Sequence, residues 1–129
     1  MKLKDRIVVV TGAGSGIGRA CAIECAKEGA LVVVADINQE GADETVRQIA
    51  TEKGRAIVFR TDVSKPESVK QLVDFTIASF TKIDALINNA AIQVNKTIED
   101  TTFEEWNLQM SINVGGIFLC SKYFLPYLR

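Results

Sequence analysis

The sequence predicts an α/β fold built on a doubly wound parallel sheet. Three observations carry that expectation. Four short runs rich in β-branched residues, at 7–10, 31–35, 56–59 and 85–87, alternate with stretches of helical periodicity. The runs are apolar almost without interruption, as parallel strands buried on both faces require. A glycine-rich turn, Thr11-Gly12-Ala13-Gly14-Ser15-Gly16-Ile17-Gly18, joins the first run directly to the first helical stretch.

The first strand is the run Ile7-Val8-Val9-Val10, and the helix after the glycines carries Cys21 and Cys25 one turn apart on a face of small residues. Gly29 ends that helix before the second strand, and Gly54 ends the second helix before the third. The third helix has the clearest pattern. Val69, Leu72, Val73, Ile77 and Phe80 recur at helical spacing behind Ser64-Lys65-Pro66-Glu67, where serine can cap and proline can occupy the first turn. Thr81-Lys82 closes it. The spacing then predicts one helix from about residue 102 to 124, with Glu104 and Glu105 near its N-terminus and Phe103, Trp106, Met110, Ile117, Cys120 and Phe124 on one face. Right-handed crossovers place these units in strand order 3-2-1-4, a Rossmann-type sheet. No linker, repeat or low-complexity segment divides residues 1–129, which read as one domain.

Composition excludes several classes of function. Fifteen basic and sixteen acidic side chains leave a net charge of −1, with no basic block to meet a nucleic acid or a membrane surface. The apolar residues before the glycines are too few for a signal-peptide core or a membrane span, so a cytoplasmic location is expected. Three cysteines at 21, 25 and 120 match no metal-ligand spacing, and the chain has no histidine. No metal site is expected.

The glycine turn is suited to phosphate. Its glycines at 12, 14, 16 and 18 permit φ > 0 and put no Cβ in the way of a pyrophosphate approaching main-chain N–H groups. The following helix offers its unsatisfied N-terminal donors to the same anion. Asp36 closes the second strand 18 positions after Gly18, where a carboxylate can accept from both hydroxyls of an adenosine ribose. That negative charge would repel a 2′-phosphate, and neither Ser15 nor Ile37 supplies a cation to hold one, so the spacing favours NAD over NADP. Asp62-Val63 follows the third strand at the carboxyl edge of the sheet, where open α/β folds bind ligands, although Asp62 alone could equally be a turn or cap residue. Asn88-Asn89-Ala90-Ala91 follows the fourth strand, and its amides can bind ribose or pin loops. Asn113 stands in the mostly apolar stripe of the last helix, where an amide needs a partner or a water.

Together, Thr-Gly-x-x-x-Gly-x-Gly at 11–18, the acidic residue at 36, Asp62-Val63, Asn-Asn-Ala at 88–90 and Asn113 resemble the classical type of short-chain dehydrogenase/reductase over the whole chain. The resemblance implies that Gly12, Ser15, Gly16, Ile17 and Gly18 hold the cofactor phosphates. It also implies that Asp62 and Val63 border the adenine and that Asn89 and Ala90 touch the cofactor ribose and steady the sheet. Asn113 would join the catalytic set, holding a helix bend and a water in a proton relay. The implied activity is NAD-dependent hydride transfer between nicotinamide and a secondary alcohol or ketone, in a dimer or tetramer of identical subunits.

Two departures qualify the resemblance. Ala91 stands where the family pattern often has glycine, a change that is expected to be tolerated. The family's catalytic serine and Tyr-x-x-x-Lys pair come from a fifth strand and the helix after it, and this sequence ends at Arg129 before either. Ser121-Lys122-Tyr123 does not replace them, because adjacent helical residues point about 100° apart and cannot converge on one carbonyl. The expectation is therefore the cofactor-binding, N-terminal part of an oxidoreductase with its C-terminal half absent and no turnover alone. A non-catalytic NAD-sensing module and a truncated remnant stay open beside it. Gly115-Gly116 suggests close backbone packing, against the missing half or another subunit.

Overall fold

In the computed structural model, which describes residues 1–129, the apolar runs pair as β1 (Ile7–Thr11), β2 (Leu31–Asp36), β3 (Arg55–Arg60) and β4 (Ala85–Ile87). All are parallel, in the order β3-β2-β1-β4, as expected from right-handed crossovers. Ile7 lies opposite Leu31, Leu31 opposite Arg55, and Val8 opposite Ala85. Helices α1 (Gly16–Lys27), α2 (Gln39–Thr51) and α3 (Pro66–Phe80) make the crossovers, and α4 (Phe103–Asn113) and α5 (Gly115–Leu128) follow β4.

Strand alternation sends side chains into two cores. Val8, Val10, Val32 and Val34 pack with Ala22, Ala26, Ala42 and Ile49 on the α1/α2 side. Val9, Val33 and Ala35 meet Val69, Leu72, Val73, Cys120 and Phe124 on the α3/α5 side. Each fully buried valine or leucine is worth about 1.5–3 kcal/mol against exposure, so the two layers fix register as well as stability.

Local signals differ from expectation at four points. Ser64 does not cap α3: its N–H and Oγ–H both turn to Asp62 Oδ1, at 3.0 and 2.6 Å, leaving Lys65 as an N-cap without a side-chain bond. Pro66 does occupy the first turn. Lys53, not Gly54, takes the left-handed position after α2, and Gly54 instead makes a close approach to Ile49. Only Gly12 and Gly16 in the glycine turn have positive φ, +65° and +53°. Finally, the expected helix over 102–124 is two helices meeting at Val114. Gly115 and Gly116 weaken helical continuity there, and a Cβ on Gly116 would lie 2.7 Å from Val63 Cγ2. The close packing at Gly116 is therefore against this chain's own Val63.

That break also disperses the expected apolar face. Cys120 and Phe124 are buried, but α4 buries no residue, and Phe103 and Trp106 are 72% and 52% exposed. No helix is long and apolar enough to cross a membrane.

Candidate dinucleotide-binding cleft

The carboxyl ends of the strands open onto a cleft of about 390 Å³. Gly12, Ser15, Gly16, Ile17, Asp36, Asp62, Val63, Asn89 and Ala90 all line it, so nine residues expected from the sequence converge from four separate segments. Gly18 and Asn113 do not. Gly18 lies beneath the turn, where a Cβ would run into the carbonyl oxygen of Gly12. Its glycine is required by packing of α1 against the turn rather than by contact with a ligand.

Within the turn the four glycines have separate reasons. Gly12 needs its positive φ and also faces the backbone of Ala90, where a Cβ would approach Cα to 2.7 Å. At Gly14 a Cβ would meet Asp36 Oδ2 at 2.8 Å. Gly16, at the start of α1, is different: a Cβ there would meet nothing within 4 Å and would project into open space. Ser15, extended at the N-cap, makes no side-chain cap bond, which leaves the first-turn donors of α1 facing the cleft. This is a cradle for an anion, with a dipole end and free N–H groups on one side.

Asp36 is half-buried at the end of β2 and tied on both oxygens. Gly14 N–H donates to Oδ2 at 2.8 Å and Asn38 N–H to Oδ1 at 2.9 Å. A carboxylate has about four lone-pair sites, so two remain for hydroxyls of a ligand. Asp62 binds Ser64, as a turn residue does, while Ser68 Oγ lies 2.9 Å from the Asp62 N–H and accepts from it. Turn residue and cleft wall are thus the same residue here.

Thr11 joins the two halves of the rim. Its Oγ accepts from the N–H groups of Asn89 and Ala90 at 3.0 and 3.1 Å, and Asn89 Nδ2 donates to Gly12 O at 3.1 Å. Asn113 finds the partner its position demanded: its Oδ1 accepts from Ile92 N–H and its Nδ2 donates to Ile92 O, both at 2.8 Å. The amide holds the segment after β4 against the end of α4. Asn88 Nδ2 reaches Ser121 Oγ at 3.5 Å, and Tyr123 lies between the ammonium groups of Lys70 and Lys122, at 5.3 and 5.7 Å from its ring centre.

The cleft also contains residues that sequence reasoning did not single out for it: Ile37, Thr61, Ile92 and Ile112. Thr61 and Ile37 follow strand ends at the carboxyl edge, and that position was the available signal. Ile92 and Ile112 come together where Asn113, Gln109 and Glu105 of α4 bind Ile92, Val94 and Lys96 of the segment after β4. Arg19 and Thr45 were missed too. Arg19 donates to Gly14 O, Gly41 O and Thr45 Oγ, and Thr45 Oγ donates to Ala13 O.

Comparison with known proteins agrees with this geometry. The family model described as short chain dehydrogenase matches residues 6–129. The chain is 34% identical over 128 residues to meso-2,3-butanediol dehydrogenase of Serratia marcescens, covering 99% of this chain and 50% of that protein. It is 43% identical over 122 residues to 2,5-dichloro-2,5-cyclohexadiene-1,4-diol dehydrogenase of Sphingobium indicum, covering 94% and 48%. A short chain dehydrogenase/reductase from Burkholderia phymatum, solved in complex with NAD, superposes with a TM-score of 0.94 at 30% identity, over 99% of this chain and 46% of that one. The chain spans about half the length of the curated relatives it matches. With its 3-2-1-4 parallel sheet, its glycine turn and a family match over nearly every residue, the chain belongs to the short-chain dehydrogenase family of oxidoreductases.

Proposed function

We propose that residues 1–129 form the cofactor-binding domain of an oxidoreductase that binds a nicotinamide dinucleotide and prefers NAD to NADP. The single observation that carries this reading is the placement of Asp36 beside the open space at Gly16. A carboxylate with two free acceptor sites lines the same cleft as Gly16 and the N-terminus of α1. The cleft fits the group, since Gly16 leaves the space a Cβ would fill and the α1 N-terminus supplies donors for a pyrophosphate. Ser15, Gly16 and Ile17 bind the phosphates, Asp36 accepts from the adenosine ribose, and Asp62 and Val63 border the base. Asn89 and Ala90, held by Thr11, carry the rim toward the second ribose.

The nicotinamide, when bound, supplies the site of hydride exchange with a secondary alcohol or ketone. Asn113 serves as the positioning residue that keeps Ile92 and its segment at the mouth of the cleft, the position from which it would assist proton exchange. The diol dehydrogenase names of two relatives support a substrate among alcohols and ketones. A cytoplasmic homo-oligomer completes the proposal.

Isothermal titration of the chain with NADH and NADPH tests the reading. NADH is expected to bind at least tenfold more tightly, and Asp36→Ala to remove most of that preference, since one like-charge contact near a protein surface is worth about 1–4 kcal/mol. Equal affinities for the wild-type protein would refute the assignment of Asp36.

A further inference from the structure

We infer that Thr45 and Arg19 are positioning residues of the dinucleotide cleft, which set the orientation of the Asp36 carboxylate through a single peptide group. The inference rests on the nicotinamide reading above and assigns part of its cofactor preference to residues outside the cleft.

The hydrogen bonds run in series. Arg19 Nε–H donates to Thr45 Oγ at 2.9 Å, and Thr45 Oγ–H donates to Ala13 O at 2.7 Å. That carbonyl shares its peptide plane with the N–H of Gly14, which donates to Asp36 Oδ2 at 2.8 Å. The direction of the chain is fixed chemically. Arg19 can only donate, so it takes an acceptor site of Thr45 and leaves the hydroxyl hydrogen for a carbonyl. Gly41 O also lies 3.2 Å from that hydroxyl, but it receives Arg19 Nη2 at 3.1 Å, whereas Ala13 O is nearer. Hydrogen bonds in such a series polarise one another, and a donor on the Ala13 carbonyl strengthens the Gly14 N–H as a donor to Asp36.

Burial makes the device stiff. Thr45 is fully buried, and Ala13 and Gly14 are buried beside it. Arg19 Nη2 also holds Gly14 O at 2.6 Å, so both peptides flanking Gly14 are tied to the same pair of side chains. With Asn38 N–H on the other oxygen, the plane of the Asp36 carboxylate is fixed and its free lone pairs are aimed. A carboxylate able to rotate would grip a ribose diol less well and would yield more readily to a 2′-phosphate.

Arg19 invites a rival role, that of a cation for the 2′-phosphate itself. Its Nε and Nη2 are already directed at Thr45, Gly14 and Gly41, which favours the positioning role. The two roles predict opposite outcomes.

The test is titration of the full chain with NADH and with NADPH for the wild type, Thr45→Val, Thr45→Ser and Arg19→Met, with melting temperatures measured without ligand. Thr45→Val is expected to weaken NADH about fivefold, the worth of about one neutral hydrogen bond, and NADPH by less than twofold. Thr45→Ser, which keeps the hydroxyl, restores the ratio of affinities, and Arg19→Met lowers it as Thr45→Val does. A purely structural role would lower melting temperature and leave the ratio unchanged, and an unchanged ratio in Thr45→Val and Arg19→Met overturns the inference. Should Thr45→Val not fold, Arg19→Met decides alone. Arg19→Met weakening NADPH more than NADH also overturns it, in favour of the phosphate role. Failure of the wild type to bind either dinucleotide would instead overturn the nicotinamide reading, and this inference with it.

Discussion

At the scale of single residues, chemistry is decided by what each side chain is tied to. Asp36 is held by two backbone N–H groups, and Asp84 shows the same logic away from the cleft. Partial burial opposes ionisation of Asp84, but the Ile7 N–H at 2.8 Å, with Lys82 and Arg6, outweighs it and holds the carboxyl below the usual carboxylate range. A folded-state pKa below the unfolded value stabilises the fold above about pH 3.9, and that contribution is lost as pH falls through the folded value. Asp84→Asn should therefore cost about 1–2 kcal/mol in urea melts at pH 7, with the deficit shrinking below about pH 4. Cys120 behaves in the opposite sense. Burial pushes its thiol up to about 11, so at pH 8 it remains protonated. A disulfide reagent at that pH should label the half-buried Cys21 in the native protein, Cys25 more slowly because burial, with Cys21 and Glu24 nearby, raises its thiol too, and Cys120 only on unfolding. Most of the cleft residues are legible in the sequence as a set rather than one by one, because Gly16, Asp36 and Asp62 gain meaning from their order and their places after successive strands. Arg19 is not, since a cation that satisfies carbonyls from another helix looks, in sequence, like any surface arginine.

At the scale of elements, the strands were the most legible, and the segment after β4 was the least. A run such as Val32-Val33-Val34 has few alternatives to a buried parallel strand. The break at Val114 has a local signal in Gly115-Gly116, and a tertiary contact falls at the same place: Gly116 fits against Val63, 53 positions away. Helical periodicity cannot see that contact. Gly116→Ala should cost about 1–3 kcal/mol by overpacking and shift Val63 at the cleft wall, read as a lower melting temperature together with weaker NADH binding. The start of α4 is set locally. Thr102 Oγ accepts from Glu105 N–H at 3.1 Å and Glu105 Oε1 accepts from Thr102 N–H at 2.9 Å, a complete capping box. Thr102→Ala should lose about 1 kcal/mol in a denaturant melt while leaving dinucleotide affinity unchanged.

For the molecule as a whole, the two cores and the cleft follow from one topology. Strand order 3-2-1-4 brings the loops after β1 and β4 together at the carboxyl edge, and that meeting is where Thr11 receives the N–H groups of Asn89 and Ala90. The α4/α5 side differs, with Phe103, Val114 and Phe118 more than half exposed. Two concave regions are open to solvent, the mixed polar and apolar cleft and the shallower surface around Ile98, Phe103 and Trp106. Amide chemical-shift mapping of the chain during an NADH titration separates them most directly. The largest shifts are expected on Gly14, Gly16, Ile17, Asp36 and Asn89, with Trp106 and its neighbours unmoved. Shifts concentrated around Phe103 and Trp106, with the glycine turn unchanged, would contradict the assignment of the cleft.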